Sequence, residues 1–469
     1  MNDPVTNDGL PSQPSIVDGR FNLVGRLREA LQNSAIRASA WTFGSYGVSQ
    51  VLRLGSNILL THLLSTDEHG SSGIIGLMFI VNTVLQGLQM LSDLGIAPSI
   101  IQNPRGEETR FLRTAWTLQI LRGALLWVVA GLIAWPLSLY LDQPLLALVL
   151  PLITLTIFIE GFSSMNLAVY NRRLQIAPMV MLELGAYAFS LCVMITWAWF
   201  SPTIWAPVAG GIAYSTVYMI ASHGFRGVRM AFQLDRGVAG QVLHFGKWLF
   251  LSSILAFLAG QLDRLILMSF MTTEQLGVYS VAWAMAMAMV QVLAVLARKV
   301  LFPLYARTAE ANFDDLRRQT RRVRLVLLSV SLPPMWLLIF IAPELMDFLY
   351  PEEYHEAGWM LQVLGIGGIF ACILTPVDCV LMATGDTFRH MLMQFSRSVL
   401  VMICMTTGYA IAGVNGLIYG FAASTALYYP FLVLLIRRYR VWLPGLDLGA
   451  AAVSAAVVGA GLYLRSILL

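Results

Sequence analysis

Thirteen apolar stretches, each long enough to cross a bilayer as a helix, follow one another from Trp41 to Leu468 with short polar connections. They run at about 41–64, 72–101, 114–141, 144–168, 179–200, 203–223, 244–270, 276–303, 323–342, 358–383, 389–412, 415–436 and 446–468. Backbone in hydrocarbon must satisfy its own hydrogen bonds, which leaves helices or closed barrels, and strand-like alternation is absent. The expectation is an all-α polytopic membrane protein. With 57% hydrophobic and 12% charged residues and a mean hydropathy of +0.70, a soluble globule is excluded. Pro136, Pro151, Pro207, Pro333, Pro334, Pro376 and Pro430 fall within the stretches and are candidate kinks.

Charge sorts by membrane side. The turns 65–71, 142–143, 201–203, 271–275, 343–357 and 413–415 contain no Lys or Arg and hold nine acids, from Asp67 to Glu356. The alternating segments are basic: Arg105, Arg110 and Arg113; Arg172 and Arg173; Arg226, Arg229 and Arg236; Arg317 to Arg324; Arg437, Arg438 and Arg440. The positive-inside rule puts the basic set and the N-terminal tail in the cytoplasm, and an odd span count puts the C-terminus outside, near Arg465. The net charge of +4 therefore reflects topology and is no nucleic-acid signal. The first twenty residues lack an apolar cleavable segment, so the first span reads as uncleaved. Leu23, Leu27 and Leu31 share one face of a stretch carrying Arg26, Arg28 and Arg37. That pattern fits an amphipathic helix on the inner leaflet as well as a solvated basic tail.

Much chemistry is excluded. Cys192, Cys372, Cys379 and Cys404 lie in apolar stretches without metal-ligand spacing and read as small hydrophobes. The six histidines sit at or near span ends, which argues against a buried histidine relay. No P-loop, Ser/His/Asp set or metal motif occurs, so no catalytic residue, metal or cofactor is expected.

A weak duplication is visible. Phe43-Gly44 and Phe245-Gly246 open spans 1 and 7, and Thr66-Asp67-Glu68-His69-Gly70 and Thr273-Glu274-Gln275-Leu276-Gly277 close them. Both spans begin inside, as a parallel six-helix repeat about an axis along the membrane normal requires. The expected organisation is a cytoplasmic tail (1–38), an N-lobe (39–224), a linker (225–243), a C-lobe (244–436) and a basic turn with an extra C-terminal span (437–469).

Arg53 and Arg264 are each the one basic residue in the core of a span. Arginine at mid-bilayer costs about 2.5–3.5 kcal/mol on insertion scales, so it is rarely left facing lipid. Aligned from the Gly70/Gly277 end, the two lie one turn apart on corresponding faces and would line one inter-lobe cleft suited to an anion. Arg122, about two turns inside span 3, would snorkel to the interface or ring the entrance of that cleft. Asn57, Asn82, Gln86 and Gln261 are candidate contacts for hydroxyl groups, and Asn82, Gln86 and Gln89 share a helical face. Interhelical hydrogen bonding explains such a face equally well. Asp263, Glu160, Asp378 and Glu183 are intramembrane acids, readable as ion-coupling groups or as partners of buried arginines. Asp93, near the inner end of span 2, reads as a helix-end group. The Arg317–Arg324 cluster reads as a surface helix facing anionic lipid.

Several segments carry a resemblance. Leu59-Leu60-Thr61-His62-Leu63-Leu64-Ser65-Thr66-Asp67-Glu68-His69-Gly70, Ser92-Asp93-Leu94-Gly95-Ile96, Gln261-Leu262-Asp263-Arg264-Leu265-Ile266-Leu267, Leu276-Gly277-Val278-Tyr279-Ser280, Val300-Leu301-Phe302-Pro303-Leu304 and Leu381-Met382-Ala383-Thr384-Gly385 resemble the polysaccharide-transporter branch of the multidrug/oligosaccharidyl-lipid/polysaccharide exporter superfamily. The likeness covers about residues 38–436. Thr61-His62 departs from it, since relatives commonly place a small residue before arginine there. The resemblance implies two six-helix lobes and alternating access. It also implies a central cationic cavity for a polyprenyl-diphosphate-linked oligosaccharide, in a bacterial inner membrane, with membrane lipids and other polysaccharide-assembly proteins as partners. Arg53 and Arg264 would then meet the diphosphate, whose oxygens suit the guanidinium fork. Coupling to H+ or Na+ is known in the superfamily but is not written in these motifs. A drug/cation antiporter of the same superfamily and a membrane glycan polymerase or ligase are the rival readings.

Overall fold

Helix is what hydrocarbon imposes on this chain, and the computed structural model shows helix in every expected span. It describes residues 34–65, 70–91, 95–173, 175–308, 313–383, 386–437 and 442–468. Among them no strand occurs. The helices are α1 (Ser34–Leu64), α2 (Ser71–Leu91), α3 (Ile96–Gln102), α4 (Thr109–Tyr140), α5 (Leu146–Gly161), α6 (Asn166–Arg172), α7 (Ile176–Phe200) and α8 (Trp205–Ser222). There follow α9 (Arg236–Phe270), α10 (Thr273–Thr308), α11 (Phe313–Leu349), α12 (Ala357–Ala383), α13 (Thr387–Leu427), α14 (Tyr429–Ile436) and α15 (Pro444–Leu468).

The boundaries correct several expectations. The second span is not one rod: the left-handed Gly95 (φ 61°) separates α2 from α3. The fourth is broken into α5 and α6, bent by 67°. α13 contains two rods, because Ala412 (φ −131°, ψ 19°) and Gly413 (φ 60°, ψ −142°) leave helical geometry between them. Only glycine adopts the latter pair of angles without strain, so Gly413 makes the hairpin between spans 11 and 12. Pro207 and Pro430 sit in the first turns of α8 and α14, where proline costs no internal hydrogen bond, so they are starts and not kinks. Joining α2 to α3, α5 to α6 and α14 to the second rod of α13, and dividing α13 at Gly413, gives thirteen rods among the described residues. Among the described residues eight segments are long and apolar enough to cross a membrane, or nine with α5 and α6 joined, and α1, α3, α8 and α9 fall outside that set. Leu23 to Leu31 of the expected amphipathic helix, with Thr66–His69 and Asp93, lie outside the described residues, and Arg37 falls in α1.

Packing repeats in the two halves. In the first, α1 packs on α7, α2 on α5, α4 on α5, and α5 on α8; in the second, α9 packs on α13, α10 on α12, α11 on α12, and α12 on α13. These are the same pairings six spans apart, so the molecule is two six-helix bundles with α15 added. The halves meet where α2 crosses α10. A Cβ on Gly76 would overlap the Thr273 carbonyl, and one on Gly277 would overlap the Ser72 carbonyl. The reciprocity is that of a two-fold axis along the helices. It makes Gly76, and not Gly70, the spatial counterpart of Gly277.

The acidic turns gather at one end. Glu353, in the 3-10 turn Glu352–Tyr354, accepts hydrogen bonds from Ser71 N (2.7 Å), Ser71 Oγ (2.6 Å) and Ser72 N (3.0 Å). A C-lobe carboxylate thus caps the first turn of α2, where free N–H groups and the helix dipole favour an anion. Burial raises the Glu353 carboxyl, but the bonds from Ser71 and Ser72 together outweigh it and hold it below its ordinary range. Tyr350 donates to Asn57 Oδ1 at 3.1 Å beside this contact. The apolar core is common to both lobes here, joining Leu64, Ile75 and Leu77 to Leu276, Met346 and Tyr354. At the opposite, basic end the core divides. One cluster gathers Ile96, Phe111, Trp116 and Val169 with Val242, and another gathers Leu374, Val377, Leu381, Met393 and Tyr428. There the basic segments meet acids of neighbouring loops at the same end: Arg110 lies 3.5 Å from Asp235, and Arg173 pairs with Glu107. The Arg173 hydrogen bond lowers the Glu107 carboxyl.

α15 is fastened to α11 along its length. Arg324, 1% exposed, pairs with Asp447, 3% exposed, and also donates to the Ile373 carbonyl at 3.2 Å. Trp336 Nε1 donates to Ser454 Oγ at 3.1 Å, and Arg465 reaches Glu344 at 2.8 Å at the acidic end. Arg324 therefore leaves the surface cluster in which the sequence placed it. The 18 helical steps from Asp447 to Arg465 span about 27 Å at 1.5 Å each, close to a bilayer's hydrocarbon thickness.

Candidate functional site

α2 is the wall between two environments, because residues at i, i+3, i+4 and i+7 turn to neighbouring faces. On one side Met78, Asn82 and Leu85 face a cavity of about 770 Å³ within the N-lobe. α1 contributes Ser49, Gln50 and Arg53 to it, α5 Thr156 and Glu160, α7 Glu183 and Tyr187, and α8 Tyr214 and Ser215. Arg53 is exposed into this space, and its guanidinium makes no hydrogen bond or ion pair among the described residues. Glu160 accepts from Ser215 Oγ at 2.9 Å. A second cavity of about 640 Å³ shares Glu160 and adds Gln89, Gln119, Arg122, Asn171 and Tyr218. The guanidinium of Arg122 donates to the Gln89 carbonyl at 3.0 Å, so it turns toward α2 and not outward to the interface.

On the other side of α2, Arg264 donates to Gln86 Oε1 at 3.1 Å. Its guanidinium lies over the Trp283 ring (4.6 Å to the centroid) and near that of Phe79 (5.5 Å). Such cation–π contacts are worth about 0.5–2 kcal/mol each. They hold Arg264 between α9, α2 and α10, outside the cavity that holds Arg53.

The structure thus unites some expected residues and separates others. Arg53, Asn82, Glu160 and Glu183 share one cavity, and Arg122 joins Glu160 in the next. Arg53 and Arg264 do not share a cleft, because α2 intervenes. Asn57 is taken by Tyr350. Gln261 is 6% exposed, with its Oε1 buried and lacking a partner among the described residues, so it packs between helices. Asn82, Gln86 and Gln89 each serve a different neighbour. Asp263 is half-buried beside Arg264, and the Asp378 side chain lies outside the described residues. The cavity is also not purely cationic, since two carboxylates accompany Arg53. Sequence reasoning missed Tyr187 and Tyr214, which line the cavity, and Trp283. Their only signal was an aromatic in an apolar helix, which is usually core. Among the described residues no cluster of three or more His, Cys, Asp or Glu could hold a metal.

Known proteins share this fold. The fold is similar to that of a lipid II flippase, MurJ, in an inward closed conformation (TM-score 0.69, 15% identity, 92% of this chain and 93% of that one). It is also similar to an inward-facing multidrug resistance MATE family transporter of the MOP superfamily (TM-score 0.66, 12% identity, 82% and 95%). In sequence the chain is 23% identical to the lipopolysaccharide biosynthesis protein WzxC of Escherichia coli (strain K12), over 88% of this chain and 85% of the relative. It is 22% identical to the teichuronic acid biosynthesis protein TuaB of Bacillus subtilis (strain 168), over 63% and 62%. The profile of the family described as "Polysaccharide biosynthesis protein" matches residues 58–358, more than half the chain and parts of both lobes. The chain, a multi-pass helical membrane protein, belongs to that polysaccharide biosynthesis family.

Proposed function

We propose that this protein is a flippase that carries a polyprenyl-diphosphate-linked oligosaccharide repeat unit from the inner to the outer leaflet, for export of a polysaccharide. It acts as a transporter and not as a catalyst. The observation that carries this reading is the N-lobe cavity lined by Arg53, whose guanidinium has no partner among the described residues, deep in an apolar bundle. A free arginine there is costly unless an anion visits it, and a diphosphate matches its donor geometry. The acidic end faces outward, the basic end and N-terminus face the cytoplasm, and the membrane is a bacterial inner membrane. The conformation described is then closed outside, where the lobes share a core, and parted inside, where their cores divide. The glycan headgroup enters from the cytoplasm while the polyprenyl tail stays in lipid. Asn82, Tyr187 and Tyr214 offer hydroxyl contacts, and Arg122 draws the phosphates toward the inner mouth.

Glu160 and Glu183 are the ion-coupling candidates. With both ionised, two carboxylates outnumber the one guanidinium of the first cavity, and protonating both leaves it cationic. A proton taken up on one face and lost on the other would alternate capture and release of a diphosphate. The same two carboxylates favour a second reading, export of an organic cation. Leaflet-resolved transport in proteoliposomes separates the two. The flippase reading requires movement of lipid-linked oligosaccharide by the wild type, sharply reduced in Arg53→Ala, and stimulated by a proton or sodium gradient. Movement of organic cations alone, with Arg53→Ala unimpaired, would overturn it.

A further inference from the structure

The basic end of α11 holds a second constellation, away from the N-lobe cavity and from the lobe interface. Arg317, Arg318, Arg321 and Leu325 line a cavity of about 830 Å³, together with Leu443, Pro444, Gly445 and Leu446 at the start of α15. Arg317, Arg321 and Leu325 follow one another at i, i+4 and i+8, so a stripe of α11 runs from two guanidinium groups to an apolar side chain. Arg318 flanks the stripe. The three arginines are exposed, and the cavity's opposite wall is the N-terminus of α15, whose dipole adds positive potential.

The next turn changes character. Arg324 turns inward to Asp447, while Leu325, Val326 and Val330 face outward, the last two more than 60% exposed. On α15 Leu448 is likewise 60% exposed. A cationic pocket therefore sits where a bare apolar surface begins, one turn from charge to hydrocarbon. A soluble anion would use only the upper half of such a surface. An amphiphile with a phosphate head and acyl chains would use both.

We infer that Arg317, Arg318 and Arg321, with the first turn of α15, form a binding site for one anionic phospholipid of the leaflet at the basic end. The phosphate lies among the guanidinium groups and the chains lie along Leu325, Val326 and Leu448. Charge complementarity selects the lipid class, and the pocket distinguishes this site from diffuse attraction to a basic helix. Arg322 makes that contrast testable. It is equally exposed on the same turn but does not line the cavity. Gly445 supplies a second handle, because a Cβ there meets nothing within 4 Å. A large side chain at 445 would fill the pocket without altering any charge.

The test is native mass spectrometry of the full chain, exchanged into micelles holding equal amounts of phosphatidylglycerol and phosphatidylcholine. The wild type is expected to retain phosphatidylglycerol preferentially. That preference should fall roughly tenfold or more in the Arg317→Ala/Arg318→Ala/Arg321→Ala variant, since even one charge-assisted hydrogen bond to the phosphate is worth about tenfold. Gly445→Trp should lose it comparably, and Arg322→Ala should keep it. Gly445→Trp retaining full preference, or Arg322→Ala losing as much as the triple variant, would overturn the site in favour of diffuse surface charge. Displacement of the lipid by excess inorganic phosphate would overturn the lipid assignment and leave a simple anion pocket. Should the triple variant fail to fold, Gly445→Trp and Arg322→Ala still decide.

Discussion

Glu353→Gln should loosen the contact that holds the two lobes together at the acidic end. The carboxylate receives three hydrogen bonds, from Ser71 N, Ser71 Oγ and Ser72 N, at 2.6–3.0 Å. Glutamine keeps the shape but offers one acceptor oxygen and turns an amide N–H2 toward backbone donors. Losing a charged acceptor from a half-buried cap costs about 2–3 kcal/mol, which moves a two-state equilibrium by roughly 30- to 150-fold. Spin labels at Tyr140 and Phe348, both strongly exposed on opposite lobes near this end, report the separation by pulsed electron paramagnetic resonance. The wild type should give one short distance, and Glu353→Gln should add a longer population. Acid should act in the same direction. Because the folded carboxyl is held below its ordinary 4.5, its stabilisation is complete above that value and fades as pH falls through the lowered one. The wild type should therefore open at low pH, whereas Glu353→Gln should lose this part of the pH response. Identical distance distributions in both proteins across that range would refute the argument that Glu353 latches the lobes.

Three further expectations follow from other contacts. Asp447→Asn leaves Arg324 buried without its counter-charge and should destabilise the protein by about 3–5 kcal/mol, read as a large loss of thermal stability in detergent; the double change Arg324→Met/Asp447→Leu should recover much of it, and failure to do so would show the pair is not the cause. Gly277→Leu inserts a side chain into the α2–α10 crossing and should disfavour closure at the acidic end, visible with the same spin labels as a shift to longer distance. Arg264→Leu removes the contacts to Trp283, Phe79 and Gln86 but leaves the N-lobe cavity untouched, so it should lower stability by about 1–2 kcal/mol and reduce transport less than Arg53→Ala does. Equal loss of transport in the two arginine variants at equal stability would restore a shared binding role for Arg264.

The legibility of the fold and that of the site differ for a physical reason. Span number, helical class and the sorting of basic from acidic turns are properties of local composition, and a bilayer reads them residue by residue. That is why stretches such as 179–200 and 358–383 correspond closely to α7 and α12. The breaks at Gly95 and between α5 and α6 were less visible, because Ser92-Asp93-Leu94-Gly95 and Gly161-Phe162-Ser163-Ser164 are too short to interrupt an apolar stretch of about 20 residues. Arg53 could be singled out from charge in hydrocarbon alone. Its separation from Arg264 could not, since the sequence alignment of the two halves was six residues out of register with the crossing of Gly76 and Gly277.

Hydropathy and charge order thus dictated a bundle of membrane helices, its two ends and the rarity of its buried arginines, since each depends on transfer of single side chains between water and hydrocarbon. Partnership depends instead on which helix stands next to which. Packing gave Arg324 to Asp447, Glu353 to Ser71 and Ser72, and Arg264 to Trp283, and it left Arg53 open beside Glu160 and Glu183. Those pairings lie 123, 282, 19 and more than 100 residues apart along the chain. Desolvation makes each such charge seek a neighbour, but only the arrangement of helices in space supplies one.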